Sequence, residues 1–213
     1  MNALIVVDVQ NDFLPAGALP VPRGDEVVAV ANRLLAAREL FPIRVATQDW
    51  HPPGHGSFAS SHPGAKPGDL ARLHGLPQLL WPDHCVQGGR GAQFAPGLDV
   101  GAFDRVFRKG DDPSVDSYSG FFDNGRRRDT GLGEYLRRRG ATRVFVLGLA
   151  TDYCVKLTAL DARMLGFPTT VLIDGCRGVE LKPGDVARAL RELRAAGCVI
   201  ADSAALAPVP AGP

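Results

Sequence analysis

The chain has 213 residues, of which 45% are hydrophobic and 22% charged, a composition typical of one globular domain. Its 24 basic and 23 acidic residues give a net charge of +1, so it lacks the basic field with which proteins bind nucleic acid or anionic membranes. No apolar run is long enough to span a bilayer, and the N-terminus lacks a secretory signal pattern. We therefore expect a cytoplasmic protein whose four cysteines, which form no C-x-x-C pair, are free thiols.

Short β-branched runs alternate with amphipathic stretches in the first part of the chain. Strands are predicted at 4–8 and 43–48, and the helix between them begins at Asp25, which we expect to cap it. From 51 to about 101 the periodicity disappears, and Gly, Pro and His dominate. A stretch of this length is typical of a functional loop region or of one that contains short elements of its own.

The same alternation continues to the C-terminus and predicts the fold class. The predicted elements are a strand at 104–107, an irregular loop at 111–128, a helix at 132–139, a strand at 143–147, a helix at 152–165, a strand at 168–173, a helix at 183–196 and a strand at 198–201. Strands that alternate with helices indicate an α/β fold with three layers, whose central, mostly parallel, six-stranded sheet is covered by helices. We expect a single domain over 1–203 and a flexible tail of small residues and prolines over 204–213.

Chemically reactive side chains follow the ends of four predicted strands. Asp8 ends the first strand, Asp49 ends the second with His51 just beyond it, Lys109 follows the third, and Cys154 follows the fourth. Ligands of parallel sheets bind outside the carboxyl ends of the strands. We therefore expect these side chains to meet in one site.

Cys154 is the candidate nucleophile, because it stands in a strand-to-helix turn. Free N–H groups at a helix start favour the thiolate and can receive an oxyanion. The alternative is a small buried residue that packs the helix on the sheet. Cys85, beside His84, is the one rival nucleophile, whereas the two remaining cysteines fit core positions.

An acid and a lysine in this set suggest proton chemistry. Asp8 ends an apolar strand, where desolvation raises the pKa of a carboxyl group toward the range of a general base. A carboxylate that accepts hydrogen bonds from a loop is the alternative for Asp8. Lys109 is expected to pair with Asp8 or to stabilise developing negative charge, and a solvated surface lysine is the alternative.

Two histidines and an aspartate have the composition of a metal site with open positions. Asp49 and His51 stand two residues apart, and His84 lies in the irregular region. This donor set suits one divalent ion, with zinc first and iron(II) or manganese(II) as alternatives. Asp-x-His alone is a weak signal, and His55 is more typical of a loop histidine.

Six motifs occur in order along nearly the whole chain. They are DVQNDF at 8–13, DWHP at 49–52 with GSF at 56–58, WPDHCV at 81–86, KG at 109–110, DSYSGF at 116–121 and GLATDYCV at 148–155. Together they resemble the nicotinamidase family of isochorismatase-like cysteine hydrolases, and the resemblance implies the fold of that superfamily.

The resemblance implies a reaction and the residues that perform it. The reaction is hydrolysis of nicotinamide to nicotinate and ammonia through a cysteine thioester, with pyrazinamide as a further substrate and NAD salvage as the role. The implied catalytic residues are Asp8, Lys109 and Cys154. The implied oxyanion hole consists of the backbone N–H groups of Ala150 and Cys154, beside a cis peptide bond between Leu149 and Ala150.

The resemblance also implies a substrate pocket with a metal ion that orients the pyridine ring. The implied metal ligands are Asp49, His51 and His84. Phe13 and Trp81 correspond to the aromatic walls around the ring, and Tyr118 and Tyr153 to further pocket lining. Some members of the family have another histidine ligand where this chain has Ser57, so a contribution of Ser57 or His55 to the metal shell stays open.

Two other functions are compatible with parts of this pattern. Another cysteine amidohydrolase of the superfamily, acting on a carbamoyl or ureido substrate, needs the catalytic residues but not the metal ligands or the aromatic walls. A non-catalytic metal-binding module on the same sheet needs no nucleophile. The expected partner is the small molecule nicotinamide, and the sequence leaves the choice between a monomer and a homo-oligomer open.

Overall fold

The computed structural model describes residues 1–206, which form eight strands and four α-helices. The strands are β1 Asn2–Val7, β2 Ile43–Asp49, β3 Leu70–Leu73, β4 Leu76–Leu79, β5 Arg105–Lys109, β6 Arg143–Leu149, β7 Thr169–Arg177 and β8 Val199–Ala201. The helices are α1 Glu26–Ala36, α2 Leu132–Arg138, α3 Lys156–Met164 and α4 Asp185–Ala195.

Six parallel strands form the central sheet, in the order β5-β2-β1-β6-β7-β8. The middle strand β1 is a run of apolar side chains with no solvent exposure from Ala3 to Val7. A strand that is buried on both faces has this continuous apolar pattern rather than an alternating one. The predicted α/β fold with a six-stranded sheet is confirmed, and every strand of that sheet is parallel.

Helices cover both faces of the sheet. Helices α1 and α3 both pack on β6 and β7. The β1–α1–β2 and β6–α3–β7 connections step in opposite directions along the sheet, so right-handed crossovers place α1 and α3 on opposite faces. The amphipathic stretch predicted between the first two strands forms α1, which buries Val27, Ala31 and Leu34. The predicted cap is wrong in one respect. The turn that leads into α1 already begins before Asp25. Asp25 therefore has helical backbone angles itself, and its side chain makes no capping hydrogen bond.

The irregular region after β2 contains short elements of its own. Strands β3 and β4 pair antiparallel as a hairpin that is separate from the main sheet. At the C-terminus, the predicted tail begins at 204, where Ser203–Ala205 forms one 3₁₀ turn. The rest of the predicted tail, residues 207–213, lies outside the described residues. None of the helices within 1–206 is both long and apolar enough to cross a membrane.

Candidate active site

The carboxyl ends of the strands bring the predicted reactive side chains together. Asp8 directly follows β1, while Asp49 and Lys109 are the last residues of β2 and β5. Cys154 lies in a π-helical turn, Thr151–Val155, that joins β6 to α3. Oxygen atoms of Asp8 and Asp49 and the Cys154 Sγ all lie within 4.8 Å of one another. The four buried side chains therefore share one chamber.

Lys109 links the two carboxylates in this chamber. Its Nζ lies 2.9 Å from Asp8 Oδ2, 2.5 Å from Asp49 Oδ1 and 2.8 Å from the carbonyl oxygen of Ser117. The Cys154 Sγ lies 3.5 Å from the same nitrogen. Burial acts to lower the pKa of Lys109, but Asp49 and Asp8 outweigh it and hold the pKa well above its ordinary value. Lys109 is therefore a buried ammonium ion.

Asp8 is placed to exchange a proton with Cys154. Its Oδ1 accepts a hydrogen bond of 2.6 Å from Thr47, whereas Oδ2, although near the ammonium of Lys109, has no hydrogen-bond partner within residues 1–206. Burial raises the pKa of Asp8 to about 6, against the opposing charge of Lys109. The backbone of Asp8 is left-handed, with φ of 48°, as the chain turns out of the sheet. The position of Asp8 beside Cys154 and its raised pKa suit a general base.

The resting state of Cys154 differs from the expectation based on its position. Burial, opposed by Lys109, raises the pKa of this thiol well above its ordinary value. The expectation that the turn favours a thiolate is therefore wrong for the resting protein, because desolvation outweighs the N–H groups nearby. The predicted helix at 152–165 also begins as the π-helical turn rather than as an α-helix. A protonated Cys154 needs a base before it can act as a nucleophile.

The backbone before Cys154 has the conformation implied by the resemblance. The peptide bond between Leu149 and Ala150 is cis. The carbonyl oxygen of Ala150 accepts hydrogen bonds of 3.1 Å from the N–H groups of both Tyr153 and Val155. These bonds close the turn and hold Cys154 at the edge of the chamber.

The geometry of Asp49, His51 and His84 fits a metal ion. One ligand atom from each lies within 4.8 Å of the others, and all three residues are buried. Nδ1 of His51 pairs with the carbonyl oxygen of Gly110, and Nδ1 of His84 with that of Pro82, both at 2.8 Å. A carbonyl can only accept, so each Nδ1 carries the proton and each Nε2 keeps its lone pair for a metal.

Charge around this trio agrees with the same role. Burial acts to raise the pKa of Asp49, but Lys109, His51 and His84 lower it below its ordinary value. Burial and the neighbouring His51 lower the pKa of His84. An ionised carboxylate and a neutral imidazole are the protonation states that bind metals.

Gly110 leaves the room that His51 needs. It has a φ of 68°, and a Cβ at this position would lie 2.4 Å from Cε1 of the His51 ring. A side chain here would displace the imidazole whose Nδ1 binds the carbonyl of Gly110.

His55 and Ser57 are already engaged with other partners. The ring nitrogens of His55 lie 2.7 Å from Ser57 Oγ and 2.8 Å from the carbonyl oxygen of Asp112. His55 also approaches His51 and Asp116 closely enough to form a second group of metal-ligating side chains. With both nitrogens hydrogen-bonded, His55 has no free lone pair directed at an ion.

A small, narrow cavity opens beside Cys154 and is lined by aromatic side chains. Phe13, Trp81, Tyr118 and Tyr153 all line it, together with Ala150, Cys154 and the three candidate metal ligands. The rings of Trp81 and Tyr153 meet edge to face, with centroids 5.0 Å apart. Burial raises the pKa of Tyr118 well above its ordinary value and that of Tyr153 to about 12, so both phenols are protonated.

Hydrogen bonds fix one aromatic wall of the cavity. The hydroxyl oxygen of Tyr118 accepts from Trp81 Nε1 at 2.9 Å and from Gln78 Nε2 at 3.1 Å. Gln78 also donates to Asp116, which lies on the cavity wall. The indole of Trp81 is therefore held by a buried polar network rather than by packing alone.

Several residues of the site were not predicted individually from the sequence. Leu19 and Val179 line the cavity, and no pattern in the sequence marks them. Asp116 lies in one of the six motifs but had no role assigned to it. Thr47 and Gln78 act through hydrogen bonds to Asp8 and Tyr118, which join segments that are distant in the sequence.

The other three cysteines lie outside the cavity. All four thiols are free, and Cys85, Cys176 and Cys198 are buried. Burial raises the pKa of the rival Cys85 well above its ordinary value, and Cys85 does not line the cavity. Cys154 is the one thiol beside the Asp8 carboxylate within the described chain.

Comparisons with known proteins agree with this architecture. The Isochorismatase domain family matches residues 2–205. A nicotinamidase of Escherichia coli is 53% identical over 200 residues, covering 93% of each chain. The solved structure of an Acinetobacter baumanii nicotinamidase and pyrazinamidase superposes with a TM-score of 0.92 at 42% identity, covering 97% of this chain and 98% of that one.

A third relative was solved with a metal ion. The pyrazinamidase of Pyrococcus horikoshii in complex with zinc is 39% identical, with a TM-score of 0.76 over 94% of this chain and 98% of that one. These matches favour the nicotinamidases over the carbamoyl-amidase and non-catalytic alternatives. The chain thus belongs to the nicotinamidases, hydrolases of the isochorismatase-like superfamily.

Proposed function

We propose that this enzyme hydrolyses nicotinamide to nicotinate and ammonia through a thioester at Cys154, and that it also accepts pyrazinamide. We assign the reaction to the salvage of nicotinamide for NAD in the cytoplasm. One observation carries the proposal. The thiol of Cys154, Oδ2 of Asp8 and the ammonium of Lys109 adjoin a small cavity with aromatic walls.

The cavity suits a flat aromatic amide. Phe13 and Trp81 would hold the pyridine ring between them, with Tyr118 and Tyr153 closing the remaining wall. Asp49, His51 and His84 would hold one divalent ion, zinc first, with iron(II) or manganese(II) as alternatives. Such an ion would bind the ring nitrogen and withdraw electrons from the ring.

The first half of the reaction forms the thioester. Asp8 Oδ2 takes the proton from Cys154 Sγ, and the sulfur adds to the carboxamide carbon. The backbone N–H groups of Ala150 and Cys154 receive the oxyanion, and each such donor contributes about 2.7–4 kcal/mol to transition-state stabilisation. Asp8 then gives its proton to the amide nitrogen, the C–N bond breaks and ammonia leaves.

The second half regenerates the enzyme. Asp8 takes a proton from a water molecule, whose oxygen adds to the thioester carbonyl. The C–S bond breaks, the sulfur recovers the proton from Asp8, and nicotinate leaves. Lys109 keeps its proton throughout, and its charge limits how far burial raises the pKa of Asp8.

The nucleophile is tested by measuring ammonia release from nicotinamide and pyrazinamide. Cys154→Ala should lower kcat by about 10⁴-fold or more, because removal of a nucleophile leaves only binding and the oxyanion donors. Cys176→Ala is the matched control, since Cys176 is equally buried but lies outside the cavity. A nicotinoyl adduct on Cys154, trapped by acid quench and located by mass spectrometry, would establish the thioester. Full activity in Cys154→Ala would refute the proposal.

The metal site is tested separately. His51→Ala should lose bound metal, measured by elemental analysis, and should raise KM for nicotinamide. His62→Ala is the control, because the ring of His62 binds the carbonyl of Gly56 and is absent from the metal trio. Equal metal content in His51→Ala and the parent enzyme would contradict the assignment of this ligand.

A further inference from the structure

Strand β2 continues beyond its partner at the edge of the active site. The pairing of β1 with β2 ends at Val7 and Thr47, and Asp8 N–H makes one last bond to the carbonyl oxygen of Thr47 at 3.3 Å. The chain then turns away through the left-handed backbone of Asp8. On that side, Asp49 is left without a strand that could pair with its backbone.

The side chain of Gln10 occupies the position of the missing strand. Its Oε1 accepts a hydrogen bond of 2.8 Å from the Asp49 N–H, and its Nε2 donates one of 2.8 Å to the Asp49 carbonyl oxygen. The second hydrogen on Nε2 is donated to the carbonyl oxygen of Ala92 at 2.9 Å. Gln10 has no solvent exposure. One buried amide therefore satisfies both backbone groups of Asp49.

This arrangement constrains the carboxylate of Asp49. With the N–H and the carbonyl of Asp49 both hydrogen-bonded to Gln10, Oδ1 of Asp49 lies 2.5 Å from Lys109 Nζ and Oδ2 lies 3.8 Å from His51 Nε2. Without the Gln10 amide, the Asp49 N–H would be a buried donor with no partner, and its peptide would rotate to find one. Such a rotation would move Oδ2 away from the two histidines.

We propose that Gln10 is a positioning residue, which sets the affinity of the metal site by holding the backbone of Asp49 through its side-chain amide. The inference rests on the proposed function, because it takes Asp49, His51 and His84 as metal ligands. Groups that orient metal ligands through hydrogen bonds typically change metal affinity by 10–100-fold when they are removed. Gln10 differs from the usual case in acting on a ligand's backbone instead of its side chain.

The chain contains a matched control for this role. Gln48 is also buried, directly precedes Asp49, and donates through Nε2 to the same carbonyl oxygen of Ala92 at 2.9 Å. Its Oε1 accepts from Arg108 Nε at 3.3 Å, and it makes no hydrogen bond to Asp49. Gln10→Met and Gln48→Met thus each remove one amide and one bond to Ala92, but only the first change releases Asp49.

The test measures Zn²⁺ affinity of the metal-free protein by competition with a chromophoric chelator, alongside urea unfolding of the same metal-free samples. Gln10→Met should bind Zn²⁺ 10–100-fold more weakly than the parent, and Gln48→Met less than about threefold more weakly. Gln10→Glu serves as the second variant. The glutamate keeps the length of the side chain and the oxygen that accepts from the Asp49 N–H, but it replaces the donating NH₂ group with an oxygen that faces the carbonyl oxygens of Asp49 and Ala92. It should also bind Zn²⁺ more weakly, even where Gln10→Met is too unstable to assay.

The outcomes separate this inference from the proposed function. Parent-like Zn²⁺ affinity in Gln10→Met and Gln10→Glu, with loss of Zn²⁺ in His51→Ala, would overturn the role of Gln10 and leave the metal site intact. Equal losses of affinity in Gln10→Met and Gln48→Met would also overturn it, because general disturbance near Ala92 would then explain both. Parent-like affinity in His51→Ala would remove the metal site itself, and the inference with it.

Discussion

The ammonium nitrogen of Lys109 lies 2.5 Å from Oδ1 of Asp49 and so joins the proposed catalytic group to the proposed metal site. The same nitrogen lies 2.9 Å from Asp8 Oδ2. Two carboxylates buried this close repel each other unless a cation lies between them. A single lysine therefore permits the proposed base and the proposed metal ligand to occupy one buried chamber.

Removal of this cation should cost both stability and activity. Lys109→Met keeps much of the side-chain volume but leaves two buried carboxylates without compensation, which typically costs about 3–5 kcal/mol of unfolding free energy. Lys156→Met is the control, because the pair of Lys156 with Glu192 is partly exposed and such pairs contribute about 1 kcal/mol or less. Urea unfolding measures both variants. Similar losses in the two variants would contradict the bridging role of Lys109.

The raised pKa of Asp8 predicts the acid limb of the pH profile. Burial raises this pKa to about 6, although Lys109 opposes the shift. Asp8 must be ionised to accept the thiol proton, so kcat/KM should fall about tenfold per pH unit below pH 6 and level off above it. Initial rates between pH 4.5 and 8, with folding checked by circular dichroism, would measure this. A profile that stays flat down to pH 5 would exclude Asp8 as the base.

The ion pairs of Glu26 predict a pH dependence of stability away from the site. Hydrogen bonds and charges of Arg23 and then Arg177 lower the pKa of Glu26 from 4.5 to about 2. The stabilisation is therefore complete above pH 4.5 and is lost as the pH falls toward 2. Glu26→Gln should lower Tm at pH 7, and this difference from the parent should shrink at pH 3.

Glu134 provides the control for that experiment. Its contact with Arg138 is 3.7 Å long, and both side chains are exposed. Glu134→Gln should therefore leave Tm nearly unchanged at both pH values. A Tm difference for Glu26→Gln that stays constant from pH 7 to pH 3 would show that Glu26 stabilises the fold by packing rather than by charge.

The hydroxyl of Tyr118 is expected to affect substrate binding more than turnover. Tyr118→Phe leaves the indole N–H of Trp81 without its acceptor, and an unpaired buried donor costs about 1–3 kcal/mol. Trp81 should then lose its fixed orientation, which raises KM for nicotinamide several-fold with a smaller change in kcat. Tyr135→Phe is the control, since within residues 1–206 the Tyr135 hydroxyl accepts only from the exposed Arg139. A fall in kcat at constant KM would argue against this role.

Much of the fold, and the position of the site, could be predicted from local patterns. A buried parallel strand is typically a continuous apolar run, so β1 and β6 stand out in the sequence. The carboxyl-end rule then places Asp8, Asp49 and Lys109 near one another. The hairpin of β3 and β4 was not predicted, because its four-residue strands are half exposed and have no apolar run.

Other features depend on three-dimensional surroundings that no local pattern records. The raised pKa of Cys154 follows from its burial, whereas the turn around it suggested the opposite shift. The bonds of Gln10 to Asp49 span 39 positions in the chain and form only after the loops fold. Phe13 and Trp81 were identified through the resemblance, because isolated aromatic residues in a loop do not indicate a cavity wall.

The burial that raises the pKa of Cys154 should also protect its sulfur from chemical damage. Peroxide and alkylating reagents attack thiolates that solvent can reach, and Cys154 is only 6% exposed with its pKa raised. In the proposed mechanism, Cys154 becomes reactive only when Asp8 removes its proton as the sulfur adds to a bound amide. The empty enzyme should accordingly survive oxidative stress that inactivates enzymes with exposed thiolates.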